Sequence, residues 1–181
     1  MQINLVIFWR ENIKMDDLKE LRKELKKILG KEGVKVSLRG QQGTGWGWTD
    51  VAHPKGKDKW ADNEKQILES AGITVGHPSN WGLIPYEKLP SVVGGLKHKS
   101  YKKSKKYQNF VEEFKQAGRG ADDWGTCCLG AGTVVKKDGK PIDFIRQMGM
   151  SDQKNIVAER IMQNRAKKMG LSFSHESGRM D

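Results

Sequence analysis

Between residues 17 and 51 the hydrophobic period switches from that of a helix to that of a strand, and this switch dictates a mixed architecture. Leu18, Leu21, Leu25, Ile28 and Leu29 recur at steps of 3, 4, 3 and 1, which places one apolar stripe on a helix over 17–29. Asp17 with Glu20 reads as a capping pair at its start and Gly30 as its stop. From Val34 the side chains alternate. Val34, Val36 and Leu38 stand against Lys35, Ser37 and Arg39, a half-buried strand over 34–40. Residues 41–45 turn the chain and 46–51 return antiparallel, with Trp46, Trp48 and Asp50 on one side and Gly47, Thr49 and Val51 on the other.

The rest of the chain extends this pattern. Residues 2–9, QINLVIFW, read as a buried strand. A short helix is expected over 62–71, closed by Gly72, with strand-like pieces around 73–75 and 82–84. The order β-α-β-β-α-β makes 1–90 a two-layer α+β domain. Pro90, Gly94-Gly95 and the Lys/Ser/Tyr run mark 91–104 as a basic linker or loop. A basic α/hairpin/α part follows over 105–171. Tyr107, Phe110, Val111, Phe114 and Ala117 line a helix over 104–117, and 119–132 is irregular and glycine-rich. TVVKKDGKPIDF is a hairpin with Asp138-Gly139 at its tip. Ser151 opens a last helix to Met169, with Val157, Ile161, Met162, Ala166 and Met169 facing inward. From Ser172 the chain reads as a polar, mobile tail.

Composition narrows the function classes. A chain of 181 residues with 36% hydrophobic residues and six Trp can bury a core. No run of 18 apolar residues exists, so no membrane partner is expected, and the short apolar N-terminus reads as a strand rather than a signal peptide. The cysteines, Cys127 and Cys128, are adjacent and supply neither a disulfide framework nor a complete zinc site, which suits a reducing cytoplasm. Lys and Arg number 33 against 22 Asp and Glu, a formal net charge of +11. The excess is uneven: +3 over 1–95 (15 basic, 12 acidic) and +8 over 96–181 (18 basic, 10 acidic). A nucleic-acid partner is the first expectation, and an acidic protein or ribonucleoprotein the second. A chain merely rich in lysine for other reasons would carry the same excess.

Six lysines, Lys97, Lys99, Lys102, Lys103, Lys105 and Lys106, fall within ten residues, and no acid occurs between Glu87 and Glu112. Lysines neutralise phosphates and release counterions, and the interleaved Tyr101 could stack a base. Tyr107 reads as core by its helical spacing. The run lacks arginine, which favours point-charge phosphate contact over bidentate reading of bases. On the last helix Arg160, Asn164, Lys167 and Lys168 share a face, with Arg165 beside them; such a face is equally a solvated one. Arg39 precedes a glycine-rich turn whose backbone could approach a phosphate, although no P-loop or dinucleotide fingerprint follows. Lys97, Lys99, Tyr101, Lys102, Lys103, Lys105, Lys106, Arg160, Arg165, Lys167, Lys168 and Arg39 are the twelve candidate nucleic-acid contacts.

Enzymatic readings are thinner. A metal-dependent nuclease needs two or three carboxylates, and Asp50, Asp122, Asp123 and Asp143 are candidates without diagnostic spacing. Histidines 53, 77, 98 and 175 are scattered, and Cys127 has no histidine within local reach. No cofactor or metal is expected, and non-enzymatic binding is favoured over catalysis.

The stretch LRKELKKILGKEGVKVSLRGQQGTGWGWTDV, within residues 17–52, resembles the small helix-plus-hairpin modules of large polyvalent proteins from phages and mobile elements. It is also similar to archaeal proteins with a Gly-Thr-x-x-Gly-Trp strand. The Gly-Pro that often follows Trp-Thr-Asp is Val51-Ala52 here. The resemblance implies a mobile-element or DNA-processing context, and it brings no catalytic residue.

Overall fold

The computed structural model describes residues 14–43, 46–56, 59–73, 75, 82–117, 132–145 and 156–176. The strand expected at 2–9, most of the glycine-rich 119–132 and the capping Ser151 lie outside them. The described chain is α+β: helices pack on two separate three-stranded antiparallel sheets.

Helix α1, Met15–Lys31, buries Leu18, Leu25 and Leu29. Its N-cap is Lys14 with no side-chain bond, so the expected Asp17/Glu20 pair does not cap it. Asp16 and Asp17 instead stand in the first turn, where a helix dipole favours acids. The helix runs past Gly30, and the left-handed residue is Gly33 (φ 89°). The Val34 N–H bonds back to the Leu29 carbonyl at 2.9 Å. Val34 is thus committed to the end of the helix, and the ladder starts at Ser37 rather than Val34. Strand β1, Ser37–Gly43, pairs with β2, Trp46–Ala52, which pairs with β3, Gly82–Pro85.

Helix α2, Asp62–Ser70, buries Leu68, and Glu64 Oε2 accepts the Ala61 N–H at 3.0 Å to hold its first turn. Ile73 and Val75 are buried but belong to no strand, contrary to expectation. They join Leu18, Leu25, Leu29, Val51, Leu68 and Ile84 in the first core.

The segment 91–104 is not a linker. A 3-10 turn at Tyr86–Lys88 leads into α3, Leu89–Lys97, and then the short α4, Lys99–Lys102. Pro90 sits in the first turn of α3, where its missing N–H costs nothing. Leu89 and Val93 enter the first core, and α3 also packs against the second sheet. A Cβ on Gly94 would overlap the Pro141 carbonyl oxygen, so glycine is what lets helix and strand meet here.

That second sheet has the order β5-β4-β6. Strands β4, Gly132–Lys137, and β5, Lys140–Ile145, form the expected hairpin. Asp138 (φ 51°) and Gly139 (φ 75°) give it two left-handed turn residues. Pro141, which lacks a donor, lies on the edge strand β5 beside an irregularity at Val135/Lys136. Helix α5, Lys105–Ala117, contributes Tyr107, Phe110 and Phe114 to the second core. Helix α6, Ile156–Lys168, contributes Met162 and Ala166.

Two expectations fail in this half. The tail expected from Ser172 is strand β6, Leu171–Glu176, paired with β4. Leu171 is buried, Ser172 is exposed, and the Phe173 ring meets Phe114 edge-on at 5.1 Å. Val157 and Ile161 do not face inward; they are 68% and 50% exposed. At about 100° per residue, Met162, Ala166 and Met169 form one stripe, while Val157 and Ile161 form another roughly 130° away. One helix face cannot hold all five.

The Gly94 contact is testable. Gly94→Ala should lower stability by about 1–3 kcal/mol through overpacking, despite a gain of about 1 kcal/mol in helix propensity. Gly30, also helical, has open space where a Cβ would go, so Gly30→Ala should stabilise by about 0.5–1 kcal/mol. Urea titrations giving both substitutions the same sign would contradict this packing.

Candidate nucleic-acid interface

The lysine run divides in two. Lys97 Nζ lies 2.5 Å from Glu24, and Lys99 Nζ lies 2.8 Å from Glu32; both pairs tie the α3–α4 segment back to α1. Lys99, by hydrogen bond and charge, holds the Glu32 carboxyl below its ordinary value. Lys102 Nζ lies 2.7 Å from Asp143 Oδ1 and ties α4 to β5. These three cations have internal partners and are poor candidates for phosphate contact.

The tyrosines are also committed. Tyr107, 2% exposed, donates its hydroxyl to Asp143 Oδ2 at 2.8 Å. Burial first, and then the neighbouring Asp143 charge, push its phenol far above the ordinary tyrosine range. Tyr101 is half-buried, its ring 5.4 Å from that of Tyr107 and 5.2 Å beneath Lys137 Nζ. Burial raises its pKa as well. Neither ring offers a free stacking face of the kind Tyr101 was expected to supply.

Asp143, one of the four carboxylates considered for metal chemistry, accepts from Lys102, from Tyr107 and from the Phe144 N–H at 3.0 Å. Asp50, 4% exposed, accepts from the Trp48 indole at 3.0 Å and from the Gln41 amide. Asp122, Asp123, Cys127, Cys128 and His77 lie outside the described residues. His53 meets the Trp60 ring edge-on at 5.0 Å and lies 3.9 Å from Glu64. Among the described residues no group of three His, Cys, Asp or Glu side chains could hold a metal ion.

Lys103, Lys105 and Lys106 remain exposed, and they form no ion pair with a described residue. They surround the start of α5, which Ser104 caps by accepting the Tyr107 N–H at 3.3 Å. The first turn contains no acid. Lys106, Asn109, Phe110 and Glu113 line one side of an open cleft of about 310 Å³ between α5 and α6; Arg165, Lys168 and Met169 line the other. Phe110 is buried at its floor. The Glu113 carboxylate and the Arg165 guanidinium pair across it. Among the described residues three cations and one carboxylate leave the lining with a formal +2.

Arg160 and Lys167 are exposed on α6 but do not line the cleft. Arg39 is exposed on β1 of the first sheet, opposite Asp50 in the register, and is not part of the cleft either. The structure thus gathers Lys106, Arg165 and Lys168 from the twelve expected contacts. Asn109 and Glu113 are not among the residues expected from sequence. Their spacing from Lys106 puts them on the polar flank of the Tyr107/Phe110/Phe114 stripe, but what faces that flank is set by α6, far along the chain.

Comparison of the chain with protein-family models, curated proteins and solved structures gives no match. Among the described residues no helix is long and apolar enough to cross a membrane.

Asp143→Asn should cost about 1–3 kcal/mol, because Lys102 and Tyr107 lose a charged acceptor. A urea titration checks this, and an unchanged midpoint would exclude a structural role for the carboxylate. By NMR, Glu32 should titrate below ordinary glutamate, and in Lys99→Gln it should move up toward that value, with the Lys103 charge still lowering it. The stabilising pair is fully present above the ordinary carboxylate pKa and is lost as pH falls through the lowered one.

Proposed function

We propose that this chain binds the sugar-phosphate backbone of nucleic acid through the basic rim of the α5–α6 cleft, as an accessory protein of viral or mobile-element kind. The observation that carries this reading is the convergence of Lys106, Arg165 and Lys168 on one open cleft, while Lys97, Lys99 and Lys102 are held by internal carboxylates. Lys103 and Lys105 extend the rim along α5, and Arg160 and Lys167 extend it along α6. Cations at these positions would displace counterions from a polyphosphate, a gain that depends steeply on salt. Backbone contact is favoured over base stacking because Phe110 is buried and both tyrosines of the run are committed inside.

One observation favours a second reading. Val157 and Ile161 lie at helical spacing with Arg165 and Lys168 on one side of α6, and both are exposed. A surface that is basic at one end and apolar at the other also suits an acidic protein partner.

Fluorescence anisotropy with labelled single-stranded and duplex DNA and RNA, at two salt concentrations, tests the first reading. The Lys106→Gln/Lys168→Gln double variant should bind more weakly and flatten the log–log salt slope on duplex DNA by about 2. Lys97→Gln should leave the slope alone. Binding that ignores the double substitution would remove the cleft as the interface. A wild-type protein that binds none of the four ligands at low salt, yet co-purifies with a protein after nuclease treatment, would favour the second reading.

A further inference from the structure

We infer that Glu113 competes with nucleic-acid phosphate for Arg165, so that the cleft keeps its one guanidinium engaged until a ligand displaces the carboxylate. This rests on the nucleic-acid reading above and assigns Glu113 the role of setting affinity at the same site.

The geometry supports the role in three ways. First, among the described residues lining the cleft, Glu113 is the single carboxylate and Arg165 the single guanidinium. They are paired with each other, Arg165 Nη1 to Glu113 Oε2. A carboxylate and a phosphate present the same kind of acceptor to a guanidinium fork, so both compete for one donor set. Second, the pair is open to solvent, with side chains 52% and 45% exposed. An exposed pair holds weakly and is screened by salt, so an arriving phosphate can exchange with it. Third, Lys106 stands two turns before Glu113 on α5, and Lys168 stands one turn beyond Arg165 on α6. Each is a point charge that can attract a phosphate before Arg165 is released. Once displaced, the Glu113 carboxylate remains beside the bound anion and repels it.

The pair differs from Lys102–Asp143. Lys102–Asp143 is built into a network with the buried Tyr107, and its loss opens unsatisfied polar groups. Glu113 and Arg165 lie above a contact already made by Phe110, Phe114, Met162 and Ala166.

The test is Glu113→Gln, measured by the same anisotropy titrations on duplex DNA. Glu112→Gln is the control: Glu112 pairs with Lys115 at 3.4 Å outside the cleft, and its substitution changes net charge equally. Glu113→Gln should tighten binding about two- to five-fold at low salt, the range an exposed ion pair can supply. Adding Arg165→Gln should abolish that gain. Circular dichroism melts keep a folding defect from being mistaken for a binding effect. Equal behaviour of Glu113→Gln and Glu112→Gln, or weaker binding by folded Glu113→Gln, overturns the inference and leaves the nucleic-acid reading intact if the wild type binds with salt dependence. Binding that appears only in Glu113→Gln supports it. Absence of binding in both proteins removes the inference and the reading together.

Discussion

The contact of helix α3 with strand β5 is what the remaining architecture depends on. Among the described residues each sheet has three strands and covers its own core. Helix α3 serves both: Leu89 and Val93 fill the first core while Gly94 lies on the Pro141 carbonyl at the edge of the second sheet. The approach is available because two successive residues of this helix have no side chain. The ion pairs cluster at the same junction. Lys97 and Lys99 reach α1, and Lys102 reaches β5. Non-directional burial brings the halves together, and directional pairs fix how α3 and α4 are seated.

The lysine run therefore has two physical roles along ten residues. Its first half sits beside carboxylates carried by other elements, and each pairing lowers the cost of a crowded positive charge. Its second half opens α5, where the helix dipole disfavours cations and no acid offsets them. The start of α5 thus breaks the local rule that favours acids in a first turn. Such departures are expected where an anion is to be bound, since binding supplies the missing charge. Composition alone cannot divide the run, because a lysine beside a glutamate and a lysine facing water are identical in sequence.

The elements that were legible share one property: their apolar residues repeat with a single period against a polar background. Helices α1 and α5 and the hairpin at Asp138-Gly139 meet that condition. Helix α3 does not. It is apolar on two sides because it is packed on two sides, so LPSVVGG shows no polar face, and its Pro and Gly mimic a loop. Strand β6 hides for the opposite reason: LSFSHE alternates correctly but is mostly polar, and its pairing partner β4 is distant in sequence. The cleft was half legible. Lys106, Arg165 and Lys168 could be picked by charge, whereas Glu113 could not, because its significance comes from the residue across from it.

Selection among the cations then follows from what each one's neighbour does. A pair linking two elements beside buried polar atoms, such as Lys102 with Asp143 and Tyr107, is costly to open, since removing one partner strands the others. A pair in solvent, such as Arg165 with Glu113, costs little to open and little to keep. Charges of the first kind fix structure and charges of the second kind remain exchangeable. An anionic partner can recruit only exchangeable or unpaired cations without unfolding what holds them. On this surface they include Lys103, Lys105, Lys106, Arg165 and Lys168, which border one cleft or the helix start beside it. The basic excess of the C-terminal half thus becomes directional only after the fold has subtracted the lysines it uses itself.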